Sequence, residues 1–327
     1  MLNAHNVLQL GWQSAFGTAN AIATRKLQNV SSFKLRPELE TRALDQLRGT
    51  MAPTHQTVLD RYLSSASAET SDTDFEELNY WLEMLFGTGT LTGSANPYTR
   101  VYAAPTTTAV TPHFATLQFG QTGEVWQMQD ASVTSLTLSG AANSGVSVGA
   151  SLMGGKVVAG TLAALPDLTT GTRMTGCMAS VAIETWAGNT FTKLDSSAFS
   201  WELSVNANRE YHNFLGECTP TASYDNFWTG QLKLSLELND STDDHLIAML
   251  AATNTILQKR VRIIYTVGTA TTLRSMTIDF AGHTMQAPEL FQDKNGLMTY
   301  DLVLDGVYNP TANNWLTIET KAALATV

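Results

Sequence analysis

The chain has 327 residues, 43% hydrophobic and only 15% charged, against about 25% charged in an ordinary soluble domain; it is long enough for a substantial core and reads as β-rich. Nineteen basic against 29 acidic residues give a net charge of −10, which opposes tight binding to a phosphate backbone. Two cysteines, Cys177 and Cys218, are too few for a disulfide framework, and no run of about 20 apolar residues offers a membrane span, so the sequence reads as soluble, made in cytoplasm and without a membrane partner.

In chain order, residues 1–30 read as an N-terminal arm. Alternation in Ser32, Phe33, Lys34 and Leu35 predicts a strand. The loop RPELETRALDQLRG follows, where Arg36, Glu38, Glu40, Arg42, Asp45 and Arg48 mix both signs. Isolated surface ion pairs contribute only about 0–1 kcal/mol each. Partner recognition therefore explains the loop better than stability does, because complementary charges set register and partner choice. Ser71 to Asp74 then precede Phe75, Leu78, Leu82 and Leu85 at helical spacing, which predicts a helix capped by Asp or Thr with Glu76 and Glu77 in its first turn. Thr116–Phe119 (TLQF) and Leu136 with Leu138 read as strands.

Much of this order returns. Ser200, Trp201, Glu202 and Leu203 answer Ser32–Leu35, and Gly216 and Pro220 answer Gly49 and Pro53. Asn239–Thr242 precede Leu246, Ile247, Met249 and Leu250 as a second helix start; Thr277–Phe280 (TIDF) answers TLQF; Leu302, Leu304 and Gly306 answer Leu136, Leu138 and Gly140. An ordered set of echoes marks a duplicated folding unit. The expected organisation is an arm at 1–30, a first unit at 31–140, an inserted β-rich connector at 141–197, a second unit at 198–306 and a C-terminal arm at 307–327. In the second unit NANREYHNFLGECTP takes the place of the charged loop, with Asn206, Arg209, Tyr211, His212 and Phe214. Tyr and Arg are favoured at contact hot spots.

Catalytic motifs are weak. Gly145-Val146-Ser147-Val148-Gly149 matches G-x-S-x-G, but β-type alternation follows where a nucleophile elbow needs a helix. Gly149 and Gly154 have the glycine gap of a phosphate loop, yet Gly155 stands where the lysine belongs and Val157 follows Lys156. The six histidines are scattered without ligand spacing, so neither a metal nor a cofactor is expected. Lys259, Arg260 and Arg262 read as one charged face of a strand.

GWQSAFGTA near the N-terminus, the VSSFKL strand, RGT after the charged loop, WLEMLFG closing the helix, the Gly123–Leu138 stretch and GVSVGASLMG together resemble the tail tube proteins of long-tailed bacteriophages. The resemblance implies a mainly β fold with flanking α-helices: two tandem β-sandwich tube domains, each with a packed helix, contributing strands to an oligomeric β-barrel tube. It implies a structural protein, not an enzyme, that forms stacked rings in the virion tail after assembly in the host cytoplasm. The ring is expected to be a homotrimer with pseudo-sixfold symmetry, a hexamer being the alternative. Tape-measure, tail-terminator and tail-tip proteins are the implied partners, and DNA passes through the lumen without specific binding. The two loops above are then the candidate ring-stacking surfaces. Two other readings predict different behaviour: a receptor- or carbohydrate-binding protein using 141–197, and a serine hydrolase using Ser147.

Overall fold

The computed structural model describes residues 6–18, 23–45, 55–93, 96–165, 171–188, 191–194, 197–239, 242, 247, 258–284, 292–294 and 296–323. Its elements are β1 (Val7–Trp12), β2 (Arg25–Leu27), β3 (Val30–Asp45), β4 (His55–Thr70), α1 (Leu78–Phe86), β5 (Thr90–Thr92), β6 (Tyr98–Ala103), β7 (Ala115–Gln121), β8 (Glu124–Ala141), β9 (Ser147–Gly154) and β10 (Val157–Ala159). There follow β11 (Ala179–Thr185), β12 (Thr192–Lys193), β13 (Ala198–Asn206), β14 (Arg209–His212), β15 (Ala222–Asp225), β16 (Thr229–Glu237), β17 (Gln258–Val267), β18 (Arg274–His283), β19 (Gln292–Lys294), β20 (Leu297–Gly306) and β21 (Leu316–Ala322). The second expected helix, after Thr242, lies almost wholly outside the described residues.

One antiparallel sheet runs β3–β4–β9–β8–β13–β16–β20, with β19 on the outer side of β20. Alternation fixes its two faces: along β13, Trp201, Leu203 and Val205 are buried while Glu202 and Asn206 are exposed. A slip of one residue would invert that arrangement. Behind it lie β2–β1–β7–β8–β10 on one side and β12–β11–β17–β18–β21–β6–β5 on the other. β8 belongs to both layers. Its first part pairs with β7 and β10 and its second with β9 and β13, with a register shift between Val133 and Ser135, as strands that switch sheets at a corner do.

Seven pairings of the first half recur in the second. The pairs β1–β2, β1–β7, β3–β4, β4–β9, β7–β8, β8–β9 and β8–β10 correspond to β11–β12, β11–β17, β13–β16, β16–β20, β17–β18, β18–β20 and β18–β21. Residues 141–197, expected as an inserted β-rich connector, supply strands to both halves. β9 and β10 complete the first, and β11 and β12 open the second. The TLQF echo is likewise displaced: Thr116–Phe119 lies on β7, whereas Thr277–Phe280 lies on β18, whose counterpart by pairing is β8.

α1 has nine residues, too short to persist alone in water, and all nine are buried rather than one stripe. It packs on β8 and β6. Asn79 and Glu83 on it are paired: Asn79 donates to Phe75 O at 2.8 Å and accepts from Tyr102 Oη at 3.1 Å and Thr320 Oγ1 at 2.6 Å, the last from β21 of the second half. Glu83 faces Arg100 at 3.8 Å and His113 at 3.2 Å. Gly87 ends the helix with φ 78°, and a Cβ there would meet Thr111 O at 2.3 Å, so only glycine serves.

The start of α1 carries strain of an electrostatic kind. Asp74 accepts the Glu76 and Glu77 N–H groups at 3.0 and 2.6 Å, supplying the predicted acidic cap one turn before the helix proper. Asn29 donates to Glu77 Oε2 from its backbone at 3.0 Å and from its side chain at 2.8 Å. Burial, opposed by the Asn29 bonds and reinforced by Asp74, pushes Glu77 up to about 7.

The halves are also joined by the β14–β15 hairpin, which folds back over the first half. Arg209 is buried and donates to Met84 O (3.1 Å), Leu85 O (3.0 Å) and Val133 O (2.7 Å), while Asp225 receives it at 2.5 and 2.9 Å. A cation at the open carbonyls of a helix C-terminus is favourable by charge and by hydrogen bonding. Tyr211 Oη lies 2.8 Å from Ser132 Oγ and donates toward Asp130 O and Met153 O at 2.7 and 3.0 Å.

Two predictions follow from these contacts. Because the folded-state pKa of Glu77 lies above its ordinary 4.5, its stabilising contribution belongs to acid and is lost as pH rises through about 7. Glu77→Gln, which keeps an acceptor for Asn29, is expected to raise thermal stability at pH 8 by up to roughly 3 kcal/mol, at 1.36 per unit, and to leave it nearly unchanged at pH 4; melts at the two pH values check this. Arg209→Ala leaves the Asp225 carboxylate buried without its cation and is expected to cost about 3–5 kcal/mol in urea unfolding.

Candidate functional site

The exposed face of the long sheet is a carpet of small polar side chains. Lys34, Ser67, Ser151, Ser135 and Asn206 fall in one cross-strand row; Glu69, Gly149, Thr137, Ser204, Gln231 and Asp305 form the next; Ser147, Ser139, Glu202, Lys233 and Val303 a third. The opposite side of the same strands carries Ala66, Ala68, Ala150, Leu152, Leu136, Leu138, Leu203, Leu232, Leu234 and Leu302, all buried. The alternation that sends leucine into the core therefore sends serine, threonine and glycine outward.

Charge on this face is sparse and tilts negative. Glu69, Glu202, Glu237, Asp301 and Asp305 stand against Lys34, Arg36 and Lys233. Lys233 lies 2.8 Å from Asp301, and that hydrogen bond, with the attraction of the same carboxylate, raises its pKa. A face with few free cations has little with which to displace the counterions of a passing phosphate chain, and at about 8 Å screening only charges on the face itself count.

The sheet has open edges. Among the described residues, nothing pairs with the outer side of β3, and the strand opposite, β19, is a strip of three residues. β3 and β4 also continue as an arm: β4 leaves β9 at Ser64↔Gly154, but its pairing with β3 continues to Asp45↔His55. Arg36, Glu38 and Glu40 are exposed on this arm, and Glu38 accepts from Ser65 Oγ at 2.6 Å. The side chains of Arg42 and Asp45 and the whole of Arg48 lie outside the described residues.

The second candidate loop divides. Asn206, His212 and Phe214 are exposed or half-exposed where a neighbour could reach them. Arg209 and Tyr211 are not available to a neighbour: both are buried in the chain's own interior, held by the bonds described above. Composition suggested a contact surface because Arg and Tyr serve equally as interface anchors and as internal ones. The β3–β4 arm and the β14–β15 hairpin, a second and shorter arm, touch where Tyr62 N donates to Cys218 O at 2.8 Å and Arg61 donates to Tyr211 O.

Ser147 sits within β9 opposite Ser139, not on a strand-to-helix turn, so residues 145–149 do not form a nucleophile elbow. Arg260 is buried against Glu184 (3.3 Å) and Gly188 O (2.7 Å). Arg262 pairs with Asp279 at 2.5 and 2.7 Å and stacks 4.1 Å from the Phe191 ring. Both arginines of the basic cluster are thus internally paired. Sequence reading missed the polar face itself, though SSASAET, SLTLSG and SVGASLMG each show serine or threonine between buried residues.

No curated protein matches the chain. A family model described as phage tail tube protein matches residues 3–304, nearly the whole length. Together with the mainly β fold, the open-edged sheet and its polar face, this match shows that the chain belongs to the phage tail tube protein family, a structural family of the virion tail.

Proposed function

We propose that copies of this chain close edge to edge into a ring whose lumen is lined by the serine-rich face, and that stacked rings form the conduit for DNA. The observation that carries this reading is the β8–β13 junction, where Ser135–Ala141 pairs with Asn206–Ser200 and one sheet crosses from the first half to the second without a break. The repeated pairings support two tube units, about 7–159 and 179–322, in place of the boundaries drawn from sequence echoes. A second junction of the same kind, between the copy-two edge of one chain and β3 of the next, would satisfy the open edges and leave none to aggregate.

Strand spacing favours three chains. Each contributes eight strands to the long sheet, and 24 strands at about 4.8 Å give a wall roughly 37 Å across. Two chains would give only roughly 24 Å before side chains fill it. The lumen then presents hydroxyls and a mild negative charge, over which a duplex slides without being held. Tape-measure, terminator and tip proteins would meet this tube along its axis and at its ends, and assembly belongs to the host cytoplasm. The binding-module alternative loses its motive, because 141–197 supplies strands to both sheets.

Electron microscopy of the purified protein at raised concentration tests this reading. Hollow tubes whose end-on averages have threefold symmetry and six similar lobes are expected; true sixfold rings remove the trimer, and discrete particles under all conditions remove self-assembly. Reversing charge in the segment RPELETRALDQLRG, Arg42→Glu with Arg48→Glu, is expected to shorten or abolish tubes while leaving folded, soluble chain, as judged by tube length and circular dichroism.

A further inference from the structure

Two features lie at opposite ends of β13, nine residues and so roughly 30 Å apart. Beyond its Asn206 end, the loop that follows β14 lifts Phe214 and Leu215 into solvent, 58% and 105% exposed. At its Ala198 end a groove of about 300 Å³ opens beside Ala142, Val181, Leu194 and Phe199, with Trp201 and Tyr265 at its floor. Trp201 Nε1 donates to Tyr265 Oη at 2.9 Å, which fixes the floor. Gly140 makes room for that pair, since a Cβ there would lie 2.4 Å from Tyr265 Oη and 2.7 Å from Trp201 Nε1.

An apolar knob on one end of a chain and, on the other, a groove whose apolar side chains share its lining with Ser180, Lys193 and Ser200 cannot meet within that chain. Between copies they make a heterologous, head-to-tail contact that repeats without closing. We infer that Phe214 and Leu215 of one chain seat in this groove of a second copy in the next ring. The inference rests on the tube reading and names the two surfaces that stacking uses. The position of the thiols agrees with it: Cys218 is three residues beyond Leu215, Cys177 follows Gly176 at the groove wall, and both are exposed and free. Seating brings Cys218 of one copy close to Cys177 of another.

The test treats assembled full-length protein with a short bismaleimide and reads covalent multimers on a denaturing gel. A ladder that disappears in Cys177→Ser and equally in Cys218→Ser is the expected result; a ladder that survives either change overturns the inference, as does tube-forming protein without a ladder. Leu215→Glu is expected to give folded chain with at least a tenfold loss of tubes, whereas tubes of wild-type length and yield overturn the contact. Wild-type chain that forms no tubes removes the tube reading as well, while wild-type tubes with an unaffected Leu215→Glu variant remove this inference alone.

Discussion

An antiparallel sheet cannot stop without leaving a row of backbone N–H and C=O groups unpaired, and those groups seek partners. Within this chain the difficulty is met where β8 of the first half takes β13 of the second as its neighbour, and again where β6 takes β21. It is left open at the outer side of β3. Under the proposed ring, the polar face, the doubled set of pairings and the two arms acquire their meaning from the open edges of this sheet, because a sheet continued through successive chains would either spread or close. Closure would give it an inside, and the side turned away from the leucine core is the one made of hydroxyls.

The two arms have diverged from a common plan. With Ser32 matched to Ser200, Thr41 and Ala43 occupy the places of Arg209 and Tyr211, 209 − 168 and 211 − 168. The pairing shift between Glu40 and Thr41 then corresponds to the break between β13 and β14, where Asn208 has φ 47°. The second arm turns at that break and is anchored across its own chain by buried charge and a tyrosine hydroxyl; the first lacks those anchors and extends past its sheet. One arm therefore serves the joint between halves, and the other is the one the proposed assembly would offer to a neighbour.

Much of the fold was legible because β alternation is local. Ser32–Leu35 and Ser200–Leu203 do head equivalent strands, β3 and β13, and the first helix lies where its spacing placed it. TLQF and TIDF misled because any half-buried strand repeats the same period of two, so an echo can slip by a whole strand without leaving a mark. Residues 141–197 read as β-rich from their alternation, but which strands they join is not a local property: β9 and β10 pair with the first half and β11 with β17 of the second. The complete burial of α1 and the internal role of Arg209 depend on partners more than a hundred residues distant, Thr320 for Asn79 and Met84 for Arg209; local patterns do not contain them.

Amide hydrogen exchange on β3, compared between dispersed chains and assembled tubes, addresses the continuity of the sheet most directly. Exchange at the outer-edge amides of Ser31 to Glu38 is expected to slow at least tenfold on assembly, with β16, already paired on both sides, little changed. Tubes that form while those β3 amides exchange as fast as in the free chain would contradict closure through this edge.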